Sequence, residues 1–251
     1  MLKKYEAVCY EYLRPEEVKA LREKCPVVYI VAGSLEWHGF QNPLGCDSLK
    51  AHAICCEAAL RYGGVVLPTI YQGHMTFDKE PDRNWGPDGW EGYTVGYQKL
   101  ETLETIVTDT ARALVAAGWK VIVGVTGHDI TPQRDALKRG IESAIEGTSC
   151  AGFAVKEGEL HTPDDEIPLK MDHGAAWETS CMMYACPGRV DMDALRSRGL
   201  GPDDDVQIRD KFGMGGVNPL KQASAEMGRK IIERMAELIG TKALTALPPS
   251  A

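Results

Sequence analysis

Short apolar runs alternate along the chain with longer segments in which apolar residues recur at helical spacing. The run at 27–32 is continuously apolar and rich in β-branched residues. The runs at 65–68 and 120–126 are mostly apolar and rich in valine, and 150–155 is a weaker run of the same kind. Runs of this length are typical of strands buried on both faces of a parallel sheet. The pattern therefore predicts three buried strands and a fourth candidate.

Segments with helical periodicity follow these runs. Gly63 and Gly118 stop the first two, and Pro132 fits the first turn of the third. The predicted helices cover residues 48–62, 100–117, 132–146, 175–184 and 224–238. Alternating strands and helices predict one α/β domain over residues 1–251, with a mainly parallel sheet, helices on its faces and ligands beyond the carboxyl ends of the strands.

Two polar segments interrupt this alternation. Residues 78–96 are rich in Gly, Pro, Asp and Trp and lack either periodicity, and residues 157–172 form a second polar loop. Long loops inside compact domains are often lids or binding loops. Trp85 and Trp90 are thus candidate substrate-binding residues in a cover over an active site, with a plain surface excursion as an equal alternative.

Charge and hydropathy exclude several classes of partner. The 28 Lys and Arg residues against 36 Asp and Glu give a net charge of -8, the wrong sign for a protein that binds phosphate backbones. No apolar run approaches the roughly 20 residues that span a bilayer, and the first residues lack the apolar stretch of a signal peptide. We expect a cytoplasmic protein that binds neither nucleic acid nor membranes.

The eight cysteines are scattered, mostly in apolar contexts, and none belongs to a Cys-x-x-Cys pair. Buried free thiols are the better interpretation, and a structural zinc site built on thiolates has little support. Any metal is expected to use His and carboxylate ligands.

Such ligands follow two of the predicted strands. Glu36, His38 and Asp47 lie within twelve positions after the first strand, and His128 directly follows the strand at 120–126. Residues two apart in extended backbone project to the same side, so Glu36 and His38 can converge. Asp47 can return after a turn and bridge two metal positions. Solvated loop residues are the alternative for Glu36 and His38, and the strand-end position of His128 weighs against it.

Mixed imidazole and carboxylate ligands suit zinc, manganese or ferrous iron. Two such ions about 3.5–4 Å apart can hold a hydroxide that attacks a carbonyl group. The residue types therefore point to a hydrolytic centre.

Residues 33–47 (GSLEWHGFQNPLGCD) resemble the metal-binding signature of the creatininase (creatinine amidohydrolase) family. Residues 125–128 (VTGH) resemble the family's Asn-Gly-His segment, residues 172–180 (DHGAAWETS) its His-Ala-Gly-x-x-Glu-Thr-Ser stretch, and residues 215–219 (GGVNP) its Gly-Val-x-Gly-x-Pro turn. The segments occur in the family's order and cover most of the chain. The resemblance implies a three-layer α/β/α fold and a ring-like homo-oligomer, commonly a hexamer.

The same resemblance implies a ligand set. Glu36, Asp47 and His128 resemble the ligands of one metal ion, and His38 with the shared Asp47 resembles those of the second. Two divalent ions, zinc, manganese or iron, are the expected cofactors.

The chain departs from the family at the second ion. Creatinine-hydrolysing members have Glu two residues after the metal-binding His, where this chain has Ile130. Glu178 is the first choice for the missing ligand and Asp129 the second, although either can instead orient His128 by a hydrogen bond. The Trp that stacks on creatinine in the family has no counterpart near Leu169, so creatinine is not the expected substrate.

Other histidines are candidates for substrate binding and proton transfer. His173 can do either, because a neutral imidazole titrates near pH 7; a helix-start His bonded to the backbone is the alternative. Asp129 is a further candidate for substrate binding. His74 is a candidate at the mouth of the pocket, with a surface position as its alternative, and His52 is expected either to pack or to support a metal ligand by a hydrogen bond.

These features predict a hydrolase in which a metal-bound hydroxide attacks a small, cyclic amide and His173 or Glu178 passes the proton to the leaving group. Hydrolysis of a ring carbon–carbon bond in a keto-sugar or keto-inositol is the second hypothesis, because polar loops with tryptophan suit hydroxyl-rich ligands. A metal-binding scaffold without catalysis is the third, motivated by Ile130. A small-molecule substrate and a homo-oligomer are expected.

Overall fold

The computed structural model describes residues 2–74, 95–97, 99–206 and 211–248. Its strands are β1 (Val27–Ala32), β2 (Val65–Val66), β3 (Gly73–His74), β4 (Gly96–Tyr97), β5 (Val121–Thr126) and β6 (Ala151–Lys156). Four of them form a parallel sheet in the order β2-β1-β5-β6, and β3 pairs with β4 apart from it. Trp85 and Trp90 lie outside the described residues. So does the cover predicted from residues 78–96, except for residues 95 and 96.

Helices cover both faces of the sheet. They are α1 (Pro15–Lys24), α2 (Cys46–Tyr62), α3 (Leu100–Ala116), α4 (Thr131–Ile145), α5 (Ala176–Ala185), α6 (Asp193–Arg196), α7 (Pro219–Gln222) and α8 (Ala225–Thr245), preceded by two short 3₁₀ helices, Lys3–Ala7 and Tyr10–Tyr12. No helix in the described part of the chain combines the length and hydropathy needed to cross a bilayer.

Alternate side chains of β1 pack against opposite layers. Val27, Tyr29 and Val31 belong to one apolar cluster with residues of α2, α5 and α8. Val28 and Ile30 belong to a second cluster with residues of α3 and α4. This division follows from the two-residue period of a strand, and it produces the predicted α/β/α layers.

The predicted strands and helices are confirmed, most of them within two residues at each end. The strand at 65–68 ends at Val66, since Pro68 has no N–H to donate to a sheet. The closing helix runs past residue 238 to Thr245, and Gly240 lies against the ring of Tyr62, where a side chain would not fit. The structure adds α1, α6 and α7 to the elements predicted from the sequence.

All eight cysteines are free thiols, and seven of them are buried, as predicted. The fold also places the carboxyl ends of β1, β5 and β6 side by side at one edge of the sheet. The polar residues that follow these strands therefore meet at that edge.

Candidate metal centre

Three neighbouring strands deliver charged residues to one place. Glu36 and His38 follow β1, His128 follows β5, and Glu157 follows β6, while Asp47 comes from the first turn of α2. All five side chains are buried. Burial of so many ionisable groups requires that they compensate one another or bind a cation.

Asp47 lies between two imidazoles. Its Oδ1 atom is 3.0 Å from His38 Nε2, and its Oδ2 atom is 3.2 Å from His128 Nδ1. Glu36 Oε1 is 3.0 Å from the same nitrogen of His128 and 3.7 Å from His38 Nε2. The two oxygens of one carboxylate thus face two different imidazoles, as in a ligand shared by two metal positions.

The donor groups fit divalent metal ions. Single ligand atoms of Glu36, Asp47 and His128 lie within 4.8 Å of one another. Glu36 Oε2 is buried and has no hydrogen-bond partner among the described residues, so one carboxylate oxygen is left for a further ligand. Imidazole and carboxylate are the donors that zinc and manganese use in proteins.

Hydrogen bonds from outside orient these donors. The Nδ1 atom of His38 is 3.1 Å from the backbone carbonyl of Glu36, which directs Nε2 toward Asp47. The Ser34 hydroxyl donates to Asp47 Oδ2. A Cβ atom on Gly127 would overlap the backbone carbonyl of Asp47, so the glycine permits β5 and α2 to meet at this point.

Glu178 lies on the other side of His38. Its Oε2 atom is 3.4 Å from His38 Nε2 and accepts a 2.6 Å hydrogen bond from the backbone N–H of Gly174. Gly174 has a φ of +64° and packs against the backbone of His38, which brings the start of α5 to the centre. His38, Cys46 and Glu178 form a second group whose ligand atoms lie within 4.8 Å of one another.

The Asp129 carboxylate pairs with a lysine at the exposed side of the centre. Its Oδ1 atom pairs with Lys156 Nζ at 2.6 Å, and 43% of its side chain is exposed. Between the two candidates for the ligand that Ile130 cannot provide, the geometry therefore favours Glu178.

A cavity of about 340 Å³ opens onto these donors. The described residues that line it are Glu36, Asp47, His128, Asp129, Ile130, Met171, Asp172, His173, Glu178 and Gly215. His74 is not among them; it is buried on β3, and its backbone N–H donates to the Gln133 side chain at 2.7 Å. The cavity has room for a small molecule.

His173 faces this cavity from a fixed backbone. Its N–H and C=O both pair with Gly215, at 3.0 and 2.8 Å. Its ring centre is 4.7 Å from that of His38, and its Nδ1 atom is 4.0 Å from Glu36 Oε1. Burial and the neighbouring His38 lower the pKa of His173, so its imidazole is neutral at pH 7.

Lys50 is a site residue that the sequence did not indicate to us. Its Nζ atom is 2.6 Å from Asp47 Oδ1 and 3.5 Å from Glu157 Oε1, pairs with Glu178 Oε1, and donates to the carbonyl of Gly127 at 2.9 Å. Lys50 is fully buried and does not line the cavity, so it stands behind the carboxylates. Its spacing of three from Asp47 on a helix was the available signal.

Glu157 was also missed. It follows β6 directly, just as His128 follows β5, and that parallel was its signal. Burial raises the pKa of Glu157 to about 8. Lys50 opposes this effect, because its positive charge favours the ionised carboxylate.

His38 and His128 both carry protons in the absence of metal. Burial alone would lower their pKa values. At His38 the charges of Asp47, Glu178 and Glu36 outweigh burial, and at His128 the charge of Glu36 and the hydrogen bonds to Asp47 and Glu36 outweigh it. The pKa of each rises to about 10. Because a metal binds only the neutral imidazole, an incoming ion must displace these protons.

Comparison with known proteins bears on this centre. The family model described as creatinine amidohydrolase matches residues 11–242. The chain belongs to the creatininase family. A curated relative, creatinine amidohydrolase of Pseudomonas putida, is 26% identical over an alignment of length 246, and the match covers 89% of this chain and 91% of the relative.

Solved creatininases share the fold. The crystal structure of creatinine amidohydrolase has a TM-score of 0.74 at 23% identity and covers 97% of this chain and 99% of its own. A mutant creatininase of the Zn-Zn type has a TM-score of 0.73 at 23% identity and covers 96% of this chain and 98% of its own. A structure named creatininase Mn has a TM-score of 0.73 at 24% identity and covers 96% of this chain and 99% of its own.

These findings confirm the family resemblance and the α/β/α fold class predicted from the sequence. The chain is accordingly a hydrolase of the creatininase family, and its donor groups are those of a divalent-metal centre.

Proposed function

We propose that this creatininase-family chain binds two divalent metal ions and opens or cleaves a small, cyclic amide. The observation that carries the proposal is the placement of Asp47, whose two oxygens face His38 and His128 at 3.0 and 3.2 Å. Glu36, Asp47 and His128 would hold one ion, and His38, Asp47 and Glu178 the other.

The ions, when bound, would polarise the substrate carbonyl and lower the pKa of a water molecule. The names of two solved relatives mention zinc and manganese, which supports these two metals. Iron is a further candidate because imidazole and carboxylate donors also suit it. The amide class rests on the family description and on the curated relative's name.

Proton transfer is assigned to His173. Its neutral imidazole faces the cavity, and its Nδ1 atom is 4.0 Å from a Glu36 oxygen. It can therefore accept a proton from the attacking water and then pass that proton to the leaving nitrogen. Glu178 already accepts hydrogen bonds from Lys50 and Gly174, which suits a fixed ligand better than a proton carrier.

The cavity supports a small substrate. Ile130 and Met171 provide apolar wall, and Asp129 provides a polar group at the exposed side. A homo-oligomer and a cytoplasmic location stay predictions from the sequence.

A substrate screen tests the proposal. Protein freed of metal by a chelator is reloaded with Zn²⁺, Mn²⁺ or Fe²⁺ and assayed against cyclic amides, formamides and keto-inositols. We expect ring-amide hydrolysis that disappears with the chelator and returns with metal. If only keto-inositols were cleaved, the reaction would be the hydrolysis of a carbon–carbon bond rather than of an amide. A protein that takes up no metal would contradict the proposal altogether.

A further inference from the structure

Two thiols and an imidazole meet at a second place, built from the amino-terminal segment and α2. Cys9 pairs with Val66 beside the edge strand β2, and His52 and Cys56 lie four residues apart on one face of α2. Cys9 Sγ is 3.3 Å from His52 Nε2 and 3.5 Å from Cys56 Sγ. The three residues, here named the thiol cluster, are all buried.

These separations match those of tetrahedral zinc ligands. Zn–S bonds of about 2.3 Å and Zn–N bonds of about 2.0–2.1 Å at tetrahedral angles place two sulfurs about 3.8 Å apart and a sulfur about 3.6 Å from a nitrogen. The two distances from Cys9 Sγ are within about 0.3 Å of these values. The ligand atoms of all three residues lie within 4.8 Å of one another. To admit the ion, Cys9 Sγ would move about 0.3 Å away from each of its two partners.

The histidine is already oriented for a ligand. His52 Nδ1 is 2.9 Å from the Thr69 hydroxyl oxygen, which leaves Nε2 to face the two sulfurs. Zinc-binding histidines typically hold their second nitrogen in such a hydrogen bond.

The cluster borders a cavity of its own. This cavity of about 300 Å³ is lined by Cys9, His52 and Thr69, among others, and shares no lining residue with the cavity at the metal centre. An ion held by three protein donors would therefore keep a fourth position open to water or a small anion.

The charges also suit zinc. A thiol that coordinates a divalent ion loses its proton, so Cys9 and Cys56 would both bind as thiolates. Two thiolates would then neutralise the ion, so no net charge would be buried.

We propose that Cys9, His52 and Cys56 form a zinc site distinct from the metal centre at the strand ends. This site would fasten the amino-terminal segment to α2.

Cobalt is the probe for this site, because thiolate ligands give Co²⁺ an intense sulfur-to-metal charge-transfer absorption that carboxylates and imidazoles do not. Reduced, metal-free full-length protein is titrated with Co²⁺ and then with Zn²⁺. We expect the thiolate absorption to reach the amplitude of one cobalt ion per chain once the strand-end centre is also filled, and zinc to abolish it. The absorption should be lost in Cys9→Ala and in Cys56→Ala.

Two neighbouring buried thiols supply the controls. Cys55→Ala alters the adjacent residue of α2, and Cys46→Ala removes the thiol beside His38 and Glu178; both variants should keep the absorption. His52→Ala leaves both sulfurs in place and should weaken cobalt binding at least tenfold. Circular dichroism confirms that each variant is folded.

The proposal is overturned by any of three results. These are no thiolate absorption in the native protein, absorption that persists in both Cys9→Ala and Cys56→Ala, or absorption that disappears only in Cys46→Ala.

Discussion

The strand-end metal centre and the thiol cluster both use residues of α2, yet different features of the fold bring their side chains together. The centre takes carboxylates and imidazoles from the ends of parallel strands, and its charges are compensated by the buried Lys50. The thiol cluster has no carboxylate among its donors and depends on how the amino-terminal segment packs. Parallel topology gathers strand-end residues by itself, whereas the thiol cluster exists only after long-range packing is complete.

The largest difference between the two regions should appear in catalysis. His173→Ala removes the proton carrier and should lower kcat by about 10²–10⁴-fold while leaving the metal content unchanged. His161→Ala, in the polar loop that follows β6, is the control and should retain activity. Steady-state kinetics with metal analysis decides the matter, and loss of metal from His173→Ala would instead make His173 a ligand.

The next largest effect concerns the charge behind the centre. Lys50→Met leaves buried carboxylates without their cation and should destabilise the metal-free protein by about 3–5 kcal/mol in urea unfolding. Lys138→Met breaks an exposed pair with Glu142 and should cost about 0–1 kcal/mol. Equal losses in the two variants would show that Lys50 does not compensate the centre.

A smaller effect concerns the imidazole protons that metal binding releases at the strand-end centre. Because His38 and His128 have pKa values of about 10 without metal, each releases a proton when an ion binds below that pH. The affinity for each ion should therefore rise about tenfold per pH unit, because each ion displaces one imidazole proton. Chelator competition at pH 6, 7 and 8 measures this slope, and an affinity independent of pH would contradict the two histidine ligands.

The smallest effect concerns the thiol cluster. Thr69→Val removes the hydrogen bond to His52 and should weaken cobalt binding at the thiol cluster by about 10–100-fold. Metal binding at the strand-end centre should not change. Equal weakening at both sites would mean that the substitution disturbs the fold rather than His52.

Local pattern was enough to predict most of the fold. Strands such as Val27–Ala32 are continuous apolar runs, and glycines end the helices between them. Glu36, His38 and His128 could be predicted as neighbours because strand ends meet at one sheet edge. Helix α1 was missed because the short segment Pro15–Lys24 buries none of its residues, so its apolar pattern is weak.

Tertiary packing decided the rest of the sites. A lysine on a helix is normally exposed, and Lys50 is buried only because α2, α5 and the end of β6 converge on it. Cys9 and His52 are 43 positions apart, so no local spacing in the sequence indicated their contact. Our expectation that any metal would use only His and carboxylate rested on the absence of a Cys-x-x-Cys pair, and it considered local spacing alone.

The bridging role of Asp47 is the central claim, and metal content tests it most directly. Asp47→Ala is prepared with Cys56→Ala as the common background, so that the thiol cluster takes up no ion, and Asp135→Ala on the surface is the control. After loading with Zn²⁺ and removal of free metal, the background and the control should each retain two ions per chain. Asp47→Ala should retain neither. If Asp47→Ala still holds two ions, Asp47 does not bridge them and the account of the centre is wrong.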